Sequence, residues 1–135
     1  MTTNVQAFFE AYRDAFRALD GAAVARCYAE PSGISQDGVY THWANRGAVQ
    51  ANMDALCQLY RERGLADVAF ELRQVVPLGG HALFADVHWR IDWAGDDTGA
   101  KAPWHFGTAY HLMRTPEGWQ VLLCTAYDEA ALFQA

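Results

Sequence analysis

The sequence predicts an α+β domain in which three N-terminal helices pack on one face of a mainly antiparallel sheet. Apolar residues recur at helical spacing in the first half of the chain, and the segments after Gly64 are rich in β-forming residues and bounded by turn residues. Helices followed by a run of strands are typical of a sheet that is covered on one face. With 135 residues, of which 52% are hydrophobic, the chain is long enough for one sizeable core. We assign residues 1–135 to a single domain.

The first two helices are separated by a tight turn. Apolar side chains repeat every three or four residues from Val5 to Leu19 and form one stripe on the first helix. Asp20 is a suitable N-cap for a short second helix, which we expect to run through Tyr28. Pro31 excludes a longer helix, because proline has no amide hydrogen to donate.

A third helix follows a short extended segment between Ser32 and Ala44. Asn45 is expected to cap its beginning, and Gly64 is expected to end it. Its buried stripe consists of Val49, Met53, Leu56, Cys57 and Tyr60.

Four strands are predicted after the third helix. They are Val68 to Pro77, His81 to Trp93, Trp104 to Arg114, and Trp119 to Asp128. The turns between them are Gly79-Gly80, Asp96 to Gly99, and a three-residue hairpin loop, Pro116-Glu117-Gly118.

The last hairpin predicts which side chains face the helices. Its loop places Thr115 opposite Trp119, and the pairs that follow are Met113 with Val121, His111 with Leu123, and Ala109 with Thr125. We therefore expect an inner face formed by Trp89, Ile91, His105, His111, Leu123, Thr125 and Tyr127. The outer face is then an apolar surface too large to remain wet on a monomer, which predicts a homodimer. That outer face consists of Trp104, Phe106, Thr108, Tyr110 and Leu112.

Charge and hydropathy exclude several classes of partner. The formal charge is −6 and no basic patch occurs, so we expect no nucleic-acid binding. The longest apolar runs last about eight residues, whereas a membrane span needs roughly twenty. The N-terminal segment lacks the basic region of a signal peptide, and three widely separated cysteines suit free thiols in a reducing compartment. We expect a cytoplasmic protein.

The histidines do not form a predicted metal site. His105 and His111 lie six residues apart on one strand, which is about 20 Å by strand rise, too far to share an ion. The glycines of Gly79-Gly80 and of the acidic segment before Gly99 are typical of turns rather than of a phosphate-binding loop. The sequence therefore predicts no metal and no cofactor.

Four short sequences occur in an order and at spacings that resemble the nuclear transport factor 2-like superfamily. They are Leu19-Asp20-Gly21-Ala22, Cys27-Tyr28-Ala29-Glu30-Pro31, Asn45-Arg46-Gly47 and Glu117-Gly118-Trp119-Gln120-Val121. The resemblance covers nearly the whole chain, and within the superfamily it is to SnoaL-like and ketosteroid-isomerase-like domains. It implies a cystatin-like cone, in which a curved sheet and the helices enclose a pocket, and it also implies a dimer.

Tyr12 is the first candidate site residue. It lies on the apolar stripe of the first helix, where its hydroxyl can point into the cone and donate a hydrogen bond to a ligand. The alternative is a core tyrosine bonded to the backbone. The resemblance to ketosteroid isomerases implies that Tyr12 is their oxyanion-donor tyrosine and that Tyr28 is its supporting tyrosine. It also places Gln36 at the position of the catalytic base, where an amide cannot abstract a proton; Asp37 would serve only if the loop were shifted by one residue.

His111 is the candidate acid–base residue. The resemblance places it near the protonated aspartic acid of the ketosteroid isomerases, and a neutral imidazole in a half-apolar cavity suits proton transfer. The alternative is a structural histidine.

Two hypotheses of function follow. The first is a small-molecule-binding domain that acts as a cofactor-free isomerase or dehydratase through Tyr12, Tyr28 and His111. The second is a non-catalytic ligand-binding or dimerisation module whose aromatic side chains fill the cone. A solvent-connected cavity of a few hundred Å³ would favour the first. The residues expected to contact a small apolar or aromatic ligand are Phe16, Gln36, Met53, Tyr60, Trp89, Ile91, His105, Leu123, Thr125 and Tyr127.

Overall fold

A computed structural model, which describes residues 2–95, 99 and 101–127, confirms the α+β fold with three helices. The helices are α1 (Thr2–Arg17), α2 (Gly21–Ala25) and α3 (Arg46–Arg63). The strands are β1 (Tyr28–Gln36), β2 (Val39–Trp43), β3 (Leu65–Leu78), β4 (Ala82–Trp93), β5 (Trp104–Thr115) and β6 (Gly118–Tyr127).

The six strands form one sheet in the order β2-β1-β6-β5-β4-β3. β1 runs parallel to β6, and all other neighbours are antiparallel. Helix α1 contacts β3, and α3 contacts β1, β2 and β3. The side chains of these helices and of one face of the sheet form a single hydrophobic core. We call this face of the sheet the inner face, and the opposite face the outer face.

Local signals in the sequence set the ends of the helices as predicted. The side chain of Asn45 accepts a hydrogen bond of 2.9 Å from the amide of Ala48, and Asp20 accepts one of 3.1 Å from the amide of Ala23. Gly64 ends α3 with a φ of 88°, in the left-handed region that glycine enters at low cost.

The second helix is shorter than predicted. It ends at Ala25, and Tyr28 is the first residue of β1, where it pairs with Val121 of β6. The amide of Val121 also donates a hydrogen bond of 2.8 Å to the carbonyl of Cys27. Pairing with a distant strand therefore overrides the local tendency of this segment to continue as a helix.

The extended segment before α3 is a complete hairpin of β1 and β2. Asp37 and Gly38 form its two-residue turn with φ values of 52° and 80°. Positive φ at both positions is what a type I′ turn requires. The other predicted strands occur with shifted ends, while Asp96 to Thr98 of the predicted loop and Asp128 lie outside the described residues.

The loop of the last hairpin is one residue shorter than predicted. Thr115 lies opposite Gly118, so the predicted pair of Met113 with Val121 is wrong. A bulge at Leu122 then adds one residue to β6 and restores the register. Farther from the turn the predicted pairs are correct, and these are His111 with Leu123 and Ala109 with Thr125.

The predicted faces of β5 and β6 are wrong. Directly paired residues of neighbouring strands share a face, and Phe106 pairs with Trp89 of β4, whose side chain is buried against the helices. The inner face of β5 therefore carries Trp104, Phe106, Thr108, Tyr110 and Leu112. The outer face carries His105, His111, Leu123, Thr125 and Tyr127. The aromatic surface on which the dimer was predicted lies inside the protein.

Two leucines test this assignment of faces. Leu112 is 0% exposed and Leu123 is 37% exposed. We expect Leu112→Ala to lower the free energy of unfolding by roughly 2–5 kcal/mol, because it leaves a cavity in the core. Leu123→Ala should lower it by only about 0.5 kcal/mol, as is usual for a surface substitution, when the protein is dilute enough to be monomeric. Urea unfolding followed by circular dichroism measures both, and a larger loss for Leu123→Ala would contradict the faces described.

Candidate functional site

A cavity of about 520 Å³ lies between α1, α3 and the inner face of the sheet. Its mouth is formed where α3 faces β1 and β2, because the lining residues Thr41, Asn52, Ala55 and Leu59 are exposed to solvent. The walls are mainly apolar and consist of Phe16, Ile34, Met53, Leu56, Tyr60, Val68, Trp89, Ile91, Trp104, Phe106 and Ala126. Gln36 lines the mouth beside them.

The inner end of the cavity is formed by four buried polar side chains. They come from four different elements and are Tyr12, Tyr28, Tyr110 and Cys124. Tyr12 and Tyr28 are joined by a hydrogen bond of 2.7 Å between their hydroxyls. This contact ties the middle of α1 to the beginning of β1 across the core.

Further hydrogen bonds extend the tyrosine pair in both directions. The indole Nε1–H of Trp89 donates to the hydroxyl of Tyr110 at 3.1 Å. On the other side, the hydroxyl of Tyr28 lies 3.7 Å from Sγ of Cys124, and that thiol lies 4.0 Å from the carbonyl oxygen of Gly33. We call these six groups, from the indole to the carbonyl, the polar chain.

Burial keeps the polar chain uncharged. Desolvation raises the pKa of Tyr12 and of Tyr28 well above the ordinary value for a phenol, and it also raises the pKa of Tyr110. Hydrogen bonding with Tyr12, Trp89 and Thr108 acts on the pKa of Tyr110 in the opposite direction without cancelling the effect of burial. Burial likewise raises the pKa of Cys124 to about 11. All four groups therefore hold their protons at neutral pH.

The described lining contains no side chain that suits acid–base chemistry near neutral pH. None of the described residues that line the cavity is Asp, Glu, His, Lys or Arg. Gln36 is there, but an amide neither takes up nor releases a proton in this range. The cavity has room to hold and orient a molecule, yet its described lining offers no base to deprotonate one.

The structure brings together eight of the predicted site residues around the cavity. These are Tyr12, Phe16, Tyr28, Gln36, Met53, Tyr60, Trp89 and Ile91. Five others lie on the outer face of the sheet and do not line it, namely His105, His111, Leu123, Thr125 and Tyr127. Asp37, the alternative base, is exposed in the hairpin turn.

The predicted position of His111 inside the cone is therefore wrong. His111 is directly paired with Phe84 on one side and with Leu123 on the other, and both neighbours are partly exposed on the outer face. The physical reason is the pleat of β5, which directs Tyr110 and Leu112 inward and thus His111 outward.

Several residues that line the cavity were not predicted from the sequence. Those on β5 would have been found by the signal that β4 and β5 are neighbouring antiparallel strands with apolar sets that must share a face. The residues that were not predicted are Ile34, Val68, Trp104, Phe106, Thr108, Tyr110, Cys124 and Ala126 from the sheet, Leu56 from α3, and Thr41, Asn52, Ala55 and Leu59 at the mouth.

Among the residues that the structure describes, no group of three or more His, Cys, Asp or Glu side chains is arranged to hold a metal ion. Within the same residues, no helix is both long enough and apolar enough to cross a membrane.

Comparisons with known proteins agree with the geometry of the fold. The family described as NTF2-like protein (DUF6841) matches residues 3–129. No curated protein matches the sequence.

Solved structures with the same fold come from several bacteria. An NTF-2 like protein of unknown function from Shewanella oneidensis has a TM-score of 0.75 and 14% identity, over 95% of this chain and 100% of that one. A domain of unknown function with a cystatin-like fold from Nostoc punctiforme has a TM-score of 0.73 and 18% identity, over 98% and 82%. A ketosteroid isomerase-like protein from Erwinia carotovora atroseptica has a TM-score of 0.66 and 19% identity, over 90% of each chain. At these identities the likeness shows the fold alone, and it confirms the expected cone.

The raised pKa values of the tyrosines predict the behaviour of the protein in alkali. Because the folded state holds the phenols of Tyr12, Tyr28 and Tyr110 neutral, their contribution to stability is fully present below about pH 10 and is lost as the pH rises above it. At about pH 11 the native protein should show at least three fewer phenolates, by ultraviolet absorbance, than the chain unfolded in urea. Tyr28→Phe should reduce that difference by one. Equal absorbance of the native and unfolded protein would contradict the burial of these phenols.

Proposed function

We propose that this chain, which belongs to the family of NTF2-like proteins (DUF6841), binds an uncharged and largely apolar small molecule in the cavity between α1, α3 and the sheet. The observation that carries the proposal is a cavity of about 520 Å³ whose described lining contains no Asp, Glu, His, Lys or Arg. This volume is within the ~300–1,000 Å³ that is usual for small-molecule sites. It also argues against a module whose aromatic side chains fill the cone completely.

The lining favours an uncharged ligand for an energetic reason. Moving a carboxylate or an ammonium group from water into an apolar cavity, without a group of opposite charge, is strongly unfavourable. A ring system, by contrast, can pack on the aromatic side chains of the walls. Those side chains are Phe16, Tyr60, Trp89, Trp104 and Phe106.

A cofactor-free isomerase or dehydratase is the alternative. The position of Tyr12 and Tyr28 at the inner end of the cavity supports it, since hydroxyls there can contact a reacting group. However, such a reaction needs a proton acceptor, and the two candidates are unsuitable: His111 lies on the outer face, and Asp37 is exposed in the hairpin turn. Gln36, which lines the cavity, is an amide and cannot take up a proton. Binding is therefore the function that the described residues support best.

Replacing one of two alanines by leucine, one inside the cavity and one outside it, tests whether a ligand binds in the cavity. Ala126 of β6 lines the cavity, whereas Ala109 of β5 lies on the outer face. We expect Ala126→Leu to weaken the binding of the uncharged fluorescent probe N-phenyl-1-naphthylamine by about tenfold or more, because the added methyl groups occupy the site. Ala109→Leu should change the affinity by less than about twofold.

The affinities are measured from the increase in probe fluorescence on transfer to an apolar site. Circular dichroism of both variants provides the control for folding. If the unmodified protein does not bind the probe, or if both variants bind it as the unmodified protein does, the proposal is wrong.

We also propose a homodimer through the outer face of the sheet, with an interface formed by different residues from those predicted from the sequence. Val76, Phe84 and Leu123 are large apolar side chains that are partly exposed on that face. They lie in one row, because Val76 pairs with Phe84, and Phe84 and Leu123 are both paired with His111. Exposed apolar side chains that adjoin one another favour an interface between proteins.

The mass in solution tests the dimer. Sedimentation equilibrium should give about 30 kDa, twice the chain mass of 15.0 kDa. Leu123→Lys should restore the mass of one chain, because it places a charge in the contact, while Val39→Lys at the exposed tip of the β1–β2 hairpin should not. A mass of one chain for the unmodified protein would exclude this dimer.

A cytoplasmic location remains part of the proposal. Cys27, Cys57 and Cys124 are all free thiols, as is usual for proteins of a reducing compartment.

A further inference from the structure

The two ends of the polar chain can each play only one role in a hydrogen bond. The indole nitrogen of Trp89 carries a hydrogen and has no acceptor lone pair, so it must donate to the hydroxyl of Tyr110. The carbonyl oxygen of Gly33 has no hydrogen, so the thiol of Cys124 must donate to it. These two ends impose a direction on the groups between them.

The direction can be followed from the carbonyl back to the centre of the cavity. Since the thiol proton of Cys124 points to Gly33, its sulfur is left to accept the proton of Tyr28 at 3.7 Å. The oxygen of Tyr28 then accepts the proton of Tyr12 at 2.7 Å. Each of these groups has a single proton, so every one of them is used within the wall of the cavity.

In the other half of the polar chain, between Trp89 and Tyr12, the protons are also used within the wall of the cavity. Tyr110 accepts the indole proton and has Tyr12 and Thr108 as hydrogen-bonding neighbours for its own proton. Tyr12 and Tyr110 both line the cavity, and because their protons are used elsewhere, their hydroxyl oxygens can offer only lone pairs to a ligand. Their protons are present at neutral pH, because burial keeps both phenols un-ionised.

We infer that the inner end of the cavity accepts a hydrogen bond from the ligand and donates none, so that the ligand is an uncharged, mainly apolar molecule with an O–H or N–H group at its inner end. This inference rests on the proposed function, and it specifies the class of ligand. A ketone or an ether in the same place would set its oxygen against the lone pairs of Tyr12 and leave a buried acceptor without a partner, which weakens binding. The same arrangement disfavours an enolisation at the inner end, since an enolate oxygen requires hydrogen-bond donors.

Three tricyclic molecules of nearly the same shape separate these possibilities. Carbazole has an N–H at the centre of one edge, fluorene has a CH₂ there, and 9-fluorenone has a carbonyl. Their affinities are measured by displacement of N-phenyl-1-naphthylamine. We expect carbazole to bind roughly 3- to 10-fold more tightly than fluorene, and 9-fluorenone to bind no more tightly than fluorene.

Two substitutions are expected to change this order by releasing a proton into the cavity. Tyr28→Phe removes the acceptor of the Tyr12 proton, and Cys124→Ala removes the acceptor of the Tyr28 proton. In either variant 9-fluorenone should gain roughly 3- to 10-fold in affinity relative to fluorene. Gln36 and Asn52 at the mouth are unchanged, so a change in order reports on the inner end alone. Tyr40→Phe on the outer face is the control that removes a phenol elsewhere and should leave the order unchanged.

The outcomes distinguish the inference from the proposed function. If the unmodified protein binds 9-fluorenone as tightly as carbazole or more tightly, the polar chain runs in the opposite direction and the inference is wrong, while the cavity remains a binding site. If both variants still prefer carbazole and the order of the three affinities is unchanged, the preference does not arise from the polar chain. That result would also overturn the inference. If neither the fluorescent probe nor any of the three molecules binds, the proposed function itself is wrong.

Discussion

Residues that are directly paired across neighbouring strands share one face of a sheet, and the pairing of β4 with β5 sets which side chains of β5 point toward the helices. Trp89 and Ile91 face the helices, so their partners Phe106 and Trp104 must do so as well. The alternation along β5 then directs Tyr110 into the core and His111 away from it. This one pairing therefore decides both the aromatic character of the cavity and the absence of an imidazole from its described lining.

The sequence predicts most of the fold because the relevant signals are local. The cap at Asn45, the stop at Gly64 and the apolar stripe of α1 each act within one or two turns of helix, and each is found where it was expected. Pairing between strands that lie far apart in the sequence is harder to predict. The β1 strand begins at Tyr28 because β6 lies beside it, and no residue near Tyr28 in the sequence indicates that β6 is its partner.

The face of β5 could not be predicted from the hairpin that was used. The β5–β6 hairpin fixes the two strands relative to each other, and its distant pairs were correct even though a bulge at Leu122 compensates for a shorter loop. It says nothing of β4, which is separated from β5 by residues 94–103, a connection too long to set a register. The composition of β5 does indicate its buried face, because Trp104, Phe106 and Tyr110 occupy alternate positions along the strand.

Contacts at the ends of α1 and α3 attach both helices to the sheet. Arg17 at the end of α1 bonds to β3, through an ion pair of 2.8 Å with Asp67 and a hydrogen bond of 3.0 Å to the carbonyl of Val68. At the end of α3, the guanidinium of Arg63 lies over the rings of Trp93 and Trp104, at 5.0 and 4.6 Å from their centroids. These attachments fix the helix ends relative to the sheet, and they therefore help to set the position of the cavity walls. Burial of the hydroxyls at the inner end of the cavity removes them as acids and bases at neutral pH, yet it strengthens their discrimination between a ligand that donates a hydrogen bond and one that does not. The polar groups in the described lining of the cone are therefore suited to the recognition proposed above, since none of them is an acid or a base at neutral pH.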